Sequence, residues 1–177
     1  MSDMTPVALS VPSVLLVEDK IEEDGATRSN LRLVGRWHDA GVPVGLFLLR
    51  RAAAPAQVPP GVVPRYPADG PLRLRATLLL GLWRLVRLAR SFDVVVAGRE
   101  LGLGLLIPRA AALLARRPFV VLVRSEPRAA IDDHIAAPLR RLTRRAITSA
   151  DRVVCISPGS SRPSMTWGWR PDVWRWC

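Results

Sequence analysis

The sequence predicts an α/β domain built on a mostly parallel sheet, and three observations carry that expectation. Short runs of Val, Leu and Ile alternate with longer segments of helical period, the signature of strands joined by crossover helices. Each run is apolar almost throughout instead of on alternate residues, as strands covered on both faces are. A length of 177 residues suits one domain whose core needs no disulfide or metal to hold it.

The elements follow in order. Residues 1–12 are expected to form a disordered N-terminus, and the folded domain spans residues 13–162. A first strand over Val14 to Val17 leads through an acidic loop into a helix over Ala26 to Ala40, which Asp24 or Thr27 is suited to cap. Val44 to Leu49 form the second strand. From Ala52 to Pro71 the chain is rich in proline, so it reads as a loop with a short edge strand at Val62 to Tyr66. In the helix Pro71 to Ser91 the helical angle gathers Leu74, Leu78, Leu82, Leu85 and Leu88 on one side. Arg73, Arg84, Arg87 and Arg90 fall on the other with Trp83. Strands at Asp93 to Ala97, Phe119 to Val123 and Arg152 to Ile156 are separated by helices over Glu100 to Arg116 and Asp132 to Ala150. The stretch 163–177 has no period and holds four of the six tryptophans, an abrupt change that a frameshifted or aberrant end would produce.

The formal charge is +11, and every basic residue except Lys20 is an arginine. Such a balance favours anionic partners in general. The arginines are spread over helices without interleaved aromatics or a recognisable module, so nucleic acid is not expected. Cys155 lies in an apolar run and Cys177 at the last position, which makes neither a disulfide framework nor a metal cluster and suits a reducing, cytoplasmic compartment. His38 and His134 lack ligand spacing, and no metal site is expected. There is no secretory leader pattern and no apolar window of spanning length.

In a parallel α/β sheet the ligand crevice lies outside the carboxyl ends of the strands. Candidate site residues are therefore those that follow strands. Glu18 and Asp19 open an acidic loop, Gly25 permits a close backbone approach, and Arg28 offsets the carboxylates around it. Arg99 and Arg124 are suited to bidentate contacts with a diphosphate or carboxylate. Glu100 and Glu126 are suited to hydrogen-bond a hydroxyl, or to act as a base if burial raises their pKa, and Ser125 stands between Arg124 and Glu126. A competing reading is a non-catalytic Rossmann-like module binding an anionic ligand, of which the acidic pair after the first strand admits a receiver-like special case. The receiver-like case lacks a phospho-accepting Asp, since Ala97 and Gly98 end the relevant strand, and it lacks the Lys, with Ser157 and Pro158 in its place.

In its second half the chain reads Phe92-Asp-Val-Val-Val-Ala97, an Ala/Leu-rich helix, then Arg117-Pro-Phe-Val-Val-Leu-Val123. Leu139-Arg-Arg-Leu-Thr-Arg-Arg-Ala146 and Ala150-Asp-Arg-Val-Val-Cys-Ile-Ser157 follow. This succession resembles the amino-terminal domain of glycosyltransferase family 4. The resemblance implies a Rossmann-like three-layer lobe, one half of a GT-B fold, that grips the acceptor while a second lobe holds the nucleotide sugar. The chain then reads as truncated before its donor lobe, with catalytic residues unknown and a nucleotide sugar as co-substrate only where that lobe is present. The implied acceptors are a glycan, a lipid-linked sugar or a small molecule. By the same resemblance, Arg73, Trp83, Arg84, Arg87 and Arg90 would meet an anionic membrane surface at the inner face of the membrane. Departures from the family pattern fall at the site. Its Gly-Gly loop is represented by Asp24-Gly25-Ala26-Thr27-Arg28, its first His by Gly98-Arg99-Glu100, and its His-Gly by Arg124-Ser125-Glu126.

Overall fold

The computed structural model describes residues 11–50, 57–67, 74–124 and 127–155. In chain order the elements are β1 (Val14–Glu18), α1 (Gly25–Asp39), β2 (Val44–Leu48), β3 (Pro64–Arg65), α2 (Leu74–Ala89) and β4 (Val94–Ala97). They continue with α3 (Leu103–Ala115), β5 (Phe119–Val123), α4 (Pro127–His134), α5 (Ala137–Thr148) and β6 (Arg152–Cys155). The strands form one sheet in the order β3-β2-β1-β4-β5-β6, with every pair parallel.

Strand alternation divides the core in two. Leu15, Val17, Phe47, Val95, Phe119, Val121 and Val153 face α2, α3 and α5, which bring Leu85, Ala89, Leu105, Ala111, Ala112 and Ile147 against them. Val14, Leu16, Leu46, Leu48, Val96 and Leu122 face the other way and meet Leu31 and Val34 of α1. Each fully buried Leu, Val or Phe contributes roughly 1.5 to 3 kcal/mol. Two-sided burial is therefore why the strand runs lack alternation. At the amino end, Ser13 clasps Asp93. The Ser13 N–H and Oγ–H donate to Asp93 Oδ2 at 2.8 and 2.7 Å, and the Asp93 N–H donates to Ser13 Oγ at 3.0 Å.

The strands and α1 lie within a residue or two of their expected limits, and the edge strand shrinks to Pro64–Arg65. Two helices differ. The helix expected from Glu100 starts at Leu103, because Gly102 takes φ 63°, a left-handed conformation outside the helix. The single helix expected over Asp132 to Ala150 is two, broken after His134. Pro138 lies in the first turn of α5, where its missing N–H costs no hydrogen bond, whereas in a continuous helix it would. The tail 163–177, the first ten residues, Arg73, Ser125 and Glu126 lie outside the described residues.

Candidate functional site

The direction of strand addition reverses between β1 and β4, so a crevice opens at their carboxyl ends. It has a volume of about 470 Å³ and is lined by the polar side chains of Asp19, Lys20, Glu22, Asp24, Arg50, Arg99, Glu100 and Arg124, with residues 101–104 on the α3 side.

Its base is a buried polar network. Glu18 shares the α1 face of β1 with Val14 and Leu16, so its side chain lies beneath the first turns of α1 and is only 1% exposed. One carboxylate oxygen accepts a hydrogen bond from Asn30 Nδ2. That same nitrogen donates to the Gly98 carbonyl at 3.0 Å, and Arg124 Nη1 donates to the same carbonyl at 2.6 Å. Arg124 Nη2 donates to Asn30 Oδ1. A Cβ on Gly98 would stand 2.6 Å from Asn30 Nδ2 and closer still to the Glu18 carboxylate, so only glycine fits between them. The other Glu18 oxygen finds no well-placed hydrogen-bond donor among the described residues, and Arg99 Nε pairs with it at 3.4 Å.

Above this layer Arg99 bridges two elements. Its Nη2 donates to Asp24 Oδ2 at 2.5 Å and to Thr27 Oγ1 at 3.1 Å. Asp24 is also the N-cap of α1, with Oδ1 accepting from the Thr27 N–H at 2.6 Å. Glu100 Oε2 accepts the Arg124 N–H at 3.0 Å, which pins the end of β5 to the segment after β4. Arg50 forms a two-pronged pair with Asp19 at the rim.

The charges respond to this packing. Burial pushes the Glu18 carboxyl up to about 7, against the attraction of Arg99 and Arg124. Burial also lowers the Arg124 guanidinium, while Glu18 and Glu100 oppose the shift. For Arg99 burial acts downward, yet the carboxylates of Asp24 and Glu18 raise it above its ordinary value. Asp24 is held below the usual carboxylate range, because the Thr27 N–H and Arg99 outweigh its partial burial.

Of the expected site residues, Asp19, Arg99, Glu100 and Arg124 come together in the crevice, with Glu18 buried directly below. Gly25 and Arg28 instead face a second groove on the β5–β6 side of α1. Gly25 has open space where a Cβ would lie and no left-handed φ. Asn30 and Gly98 are network members that the sequence reading does not single out. For Asn30 a signal existed, since a polar residue recurs with Thr27, Leu31 and Val34 on the buried side of α1. On α2, Trp83 is 54% and Leu79 73% exposed, and Arg87 stacks over the Trp83 ring at 4.9 Å. Arg84 turns back to the Pro67 carbonyl at 2.6 Å.

The profile of Glycosyltransferase Family 4 matches residues 24–174. Among solved structures the chain is similar to HepE of Anabaena in complex with UDP and glucose, with TM-score 0.68, 15% identity, and 93% of this chain covering 44% of that one. It is similar to the lipopolysaccharide outer core galactosyltransferase WaaB, with TM-score 0.60, 11% identity, and 91% of this chain over 44% of that one. A third likeness is MurG of Acinetobacter baumannii, with TM-score 0.54, 14% identity, and 86% of this chain over 44% of that one. No curated protein sequence matches the chain. These structural likenesses establish the fold, half of a GT-B arrangement, and this chain spans less than half the length of each. Nothing in them supports the receiver-like alternative.

Proposed function

The chain belongs to glycosyltransferase family 4, and from that premise we propose that it is the acceptor-side lobe of a GT-B glycosyltransferase whose crevice at the β1/β4 switch point receives the acceptor. The observation that carries this reading is the balance of the crevice lining, in which Asp19, Glu22, Asp24 and Glu100 face Lys20, Arg50, Arg99 and Arg124. Carboxylates accept and guanidinium or ammonium groups donate, so the wall offers both partners that a sugar hydroxyl needs. A wall already paired internally suits a neutral polyol better than a diphosphate, which would compete with Asp24 for Arg99. The acceptor is thus a glycan, a lipid-linked sugar or a small hydroxylated molecule. The nucleotide sugar belongs to the second lobe, and the transfer step needs both. No group of three or more metal-binding side chains gathers among the described residues.

Saturation-transfer NMR with glucose, galactose and N-acetylglucosamine tests the reading. At least one sugar should gain signal from the protein and lose it in Asp19→Ala, while UDP-glucose alone gains none. Tight binding or turnover of UDP-glucose by this chain alone would overturn it.

The apolar and basic side of α2, with Leu79, Trp83 and Arg87 outward, supports a second part of the proposal, contact with an anionic membrane surface at the cytoplasmic face. No helix among the described residues is long and apolar enough to cross a membrane. In flotation assays the protein should rise with phosphatidylglycerol vesicles at low salt, and Trp83→Ala/Arg87→Ala should reduce the bound fraction several-fold. Equal recovery with and without vesicles removes this part and leaves the acceptor reading intact.

A further inference from the structure

Among the described residues, each base that lines the crevice has an acid to answer it. Lys20 pairs with Glu22, Arg50 with Asp19 and Arg99 with Asp24, while Glu100 attracts Arg124. Glu18, buried beneath them, is a fifth acid against the same four bases. Its one oxygen is taken up by Asn30, and beside Oε2 stands Arg99 Nε at 3.4 Å, with neither of these two buried atoms completing a hydrogen bond. Arg99 thus spans two levels. Its Nε rests on Glu18, while Nη2 reaches Asp24 and Thr27 and the side chain, 29% exposed, lines the crevice.

We propose that Glu18 is a positioning residue that acts through Arg99: an anionic group of the acceptor draws the Arg99 guanidinium off the floor of the crevice, and Glu18 takes up one proton from solvent as it does so. The proposal rests on the acceptor reading of the crevice and adds that the acceptor carries a phosphate or carboxylate beside its hydroxyls.

While Glu18 and Asp24 are both ionised they hold Arg99 against an incoming anion. An anion that takes the guanidinium leaves Glu18 Oε2 buried without its cation, and a carboxylate in that position binds a proton. The protonated carboxyl keeps its other oxygen as the acceptor for Asn30, so the rest of the network survives. The charged groups that face Glu18 are Arg99 after β4, Arg124 at the end of β5 and Asp24 at the start of α1. Burial already pushes its carboxyl up to about 7, which puts the uptake near neutral pH. The first turn of α3 adds to the attraction for an anion. It has neither a side-chain cap nor an acidic residue, and it packs so closely that a Cβ on Gly104 would stand 2.9 Å from the Arg99 side chain. A neutral sugar leaves Arg99 in place and moves no proton. Coupling of this kind is reciprocal, so a falling pH tightens the binding of the anion.

Sulfate is the probe, because its charge does not change near neutral pH. NMR of the full chain with carboxyl-labelled glutamate follows Glu18 itself, and the amides of residues 101–104 report occupancy of the crevice. Saturating sulfate should raise the Glu18 midpoint by about one pH unit, and sulfate should then bind about fivefold tighter at about pH 6 than at about pH 8. In Glu18→Gln the affinity should be equal at the two pH values and, at about pH 8, exceed that of the unsubstituted protein by about the same factor. Arg99→Gln should abolish the effect of sulfate on the midpoint. Circular dichroism checks the fold of each variant, and the midpoint in the unsubstituted protein decides alone if Glu18→Gln does not fold. A midpoint that sulfate leaves unmoved overturns the proposal, as does one that moves equally in Arg99→Gln or a pH dependence that survives in Glu18→Gln. Glucose 6-phosphate should act as sulfate does. A midpoint that moves with UDP-glucose and not with glucose 6-phosphate would assign the anion to the donor and overturn the proposal too. Binding of glucose, galactose or N-acetylglucosamine beside an unmoved midpoint would sink this inference alone, whereas a sulfate-linked midpoint without sugar binding would sink the acceptor reading and keep the proton linkage.

Discussion

A carboxylate whose burial costs more than its nearby arginines return leaves a trace in the pH dependence of stability. Glu18 has its folded pKa raised from 4.5 to about 7. Its contribution to stability is therefore fully present below about 4.5, where folded and unfolded chains are both protonated at this position. It declines as pH rises and is lost above about 7, since only the unfolded chain then ionises without penalty. A shift of that size corresponds to roughly 3 kcal/mol. Glu18→Gln keeps an acceptor for Asn30 and cannot ionise. Urea unfolding from pH 4.5 to 8 should show this variant gaining on the unsubstituted protein as pH rises through that window; parallel curves would show that Glu18 titrates normally. At this scale the sequence is least legible. Asp19, Arg99, Glu100 and Arg124 are found by position after strands, whereas Gly98 matters because a side chain from β1 and another from α1 converge on its Cα. That convergence brings together positions up to eighty residues apart, and no local pattern records it.

Helices and strands were more legible, for a physical reason. Burial on both faces writes an uninterrupted apolar run into each strand, and Asp24 writes a cap signal into α1. The α4/α5 break was missed because apolar residues keep a helical period across Pro138, and proline at the first turn of a new helix carries the same composition as a kink. The cap of α1 has a second duty. Asp24→Ala should cost about 1 kcal/mol of capping energy and also release Arg99 from its 2.5 Å contact, leaving Glu18 as its one carboxylate partner among the described residues. Thermal unfolding should register the first effect. A rise in the affinity of the crevice for inorganic phosphate, read by NMR titration, should register the second, and an unchanged affinity would mean that Asp24 does not hold Arg99 back from anions.

At the scale of the whole molecule, the sheet order places β1 and β4 at the centre and the two-residue β3 and four-residue β6 at the edges. Hydrogen exchange should follow that order. Amides of Leu15 to Val17 and Val95 to Ala97 should exchange slowest, and those of Arg65 and Arg152 fastest; comparable rates at centre and edge would contradict a single cooperative sheet. The net charge of +11 also looks different at this scale. Arg99 and Arg124 are bound into the polar network beneath and around the crevice, while Arg28, Arg32 and Arg36 face solvent in a row. Composition counts these two sets alike, and only the fold separates them.

The Ser13–Asp93 clasp sits where β1 meets β4, and its two residues are eighty positions apart. On a ribosome adding roughly 5 to 20 residues per second, β1 emerges about 4 to 16 s before the strand that completes it. Through that interval β1, which is buried along its whole length in the finished sheet, has one hydrogen-bonding edge with no native neighbour. The middle of the finished sheet is the nascent chain's most vulnerable edge, so slow synthesis between β2 and β4 would favour misassembly and quick synthesis there would suppress it.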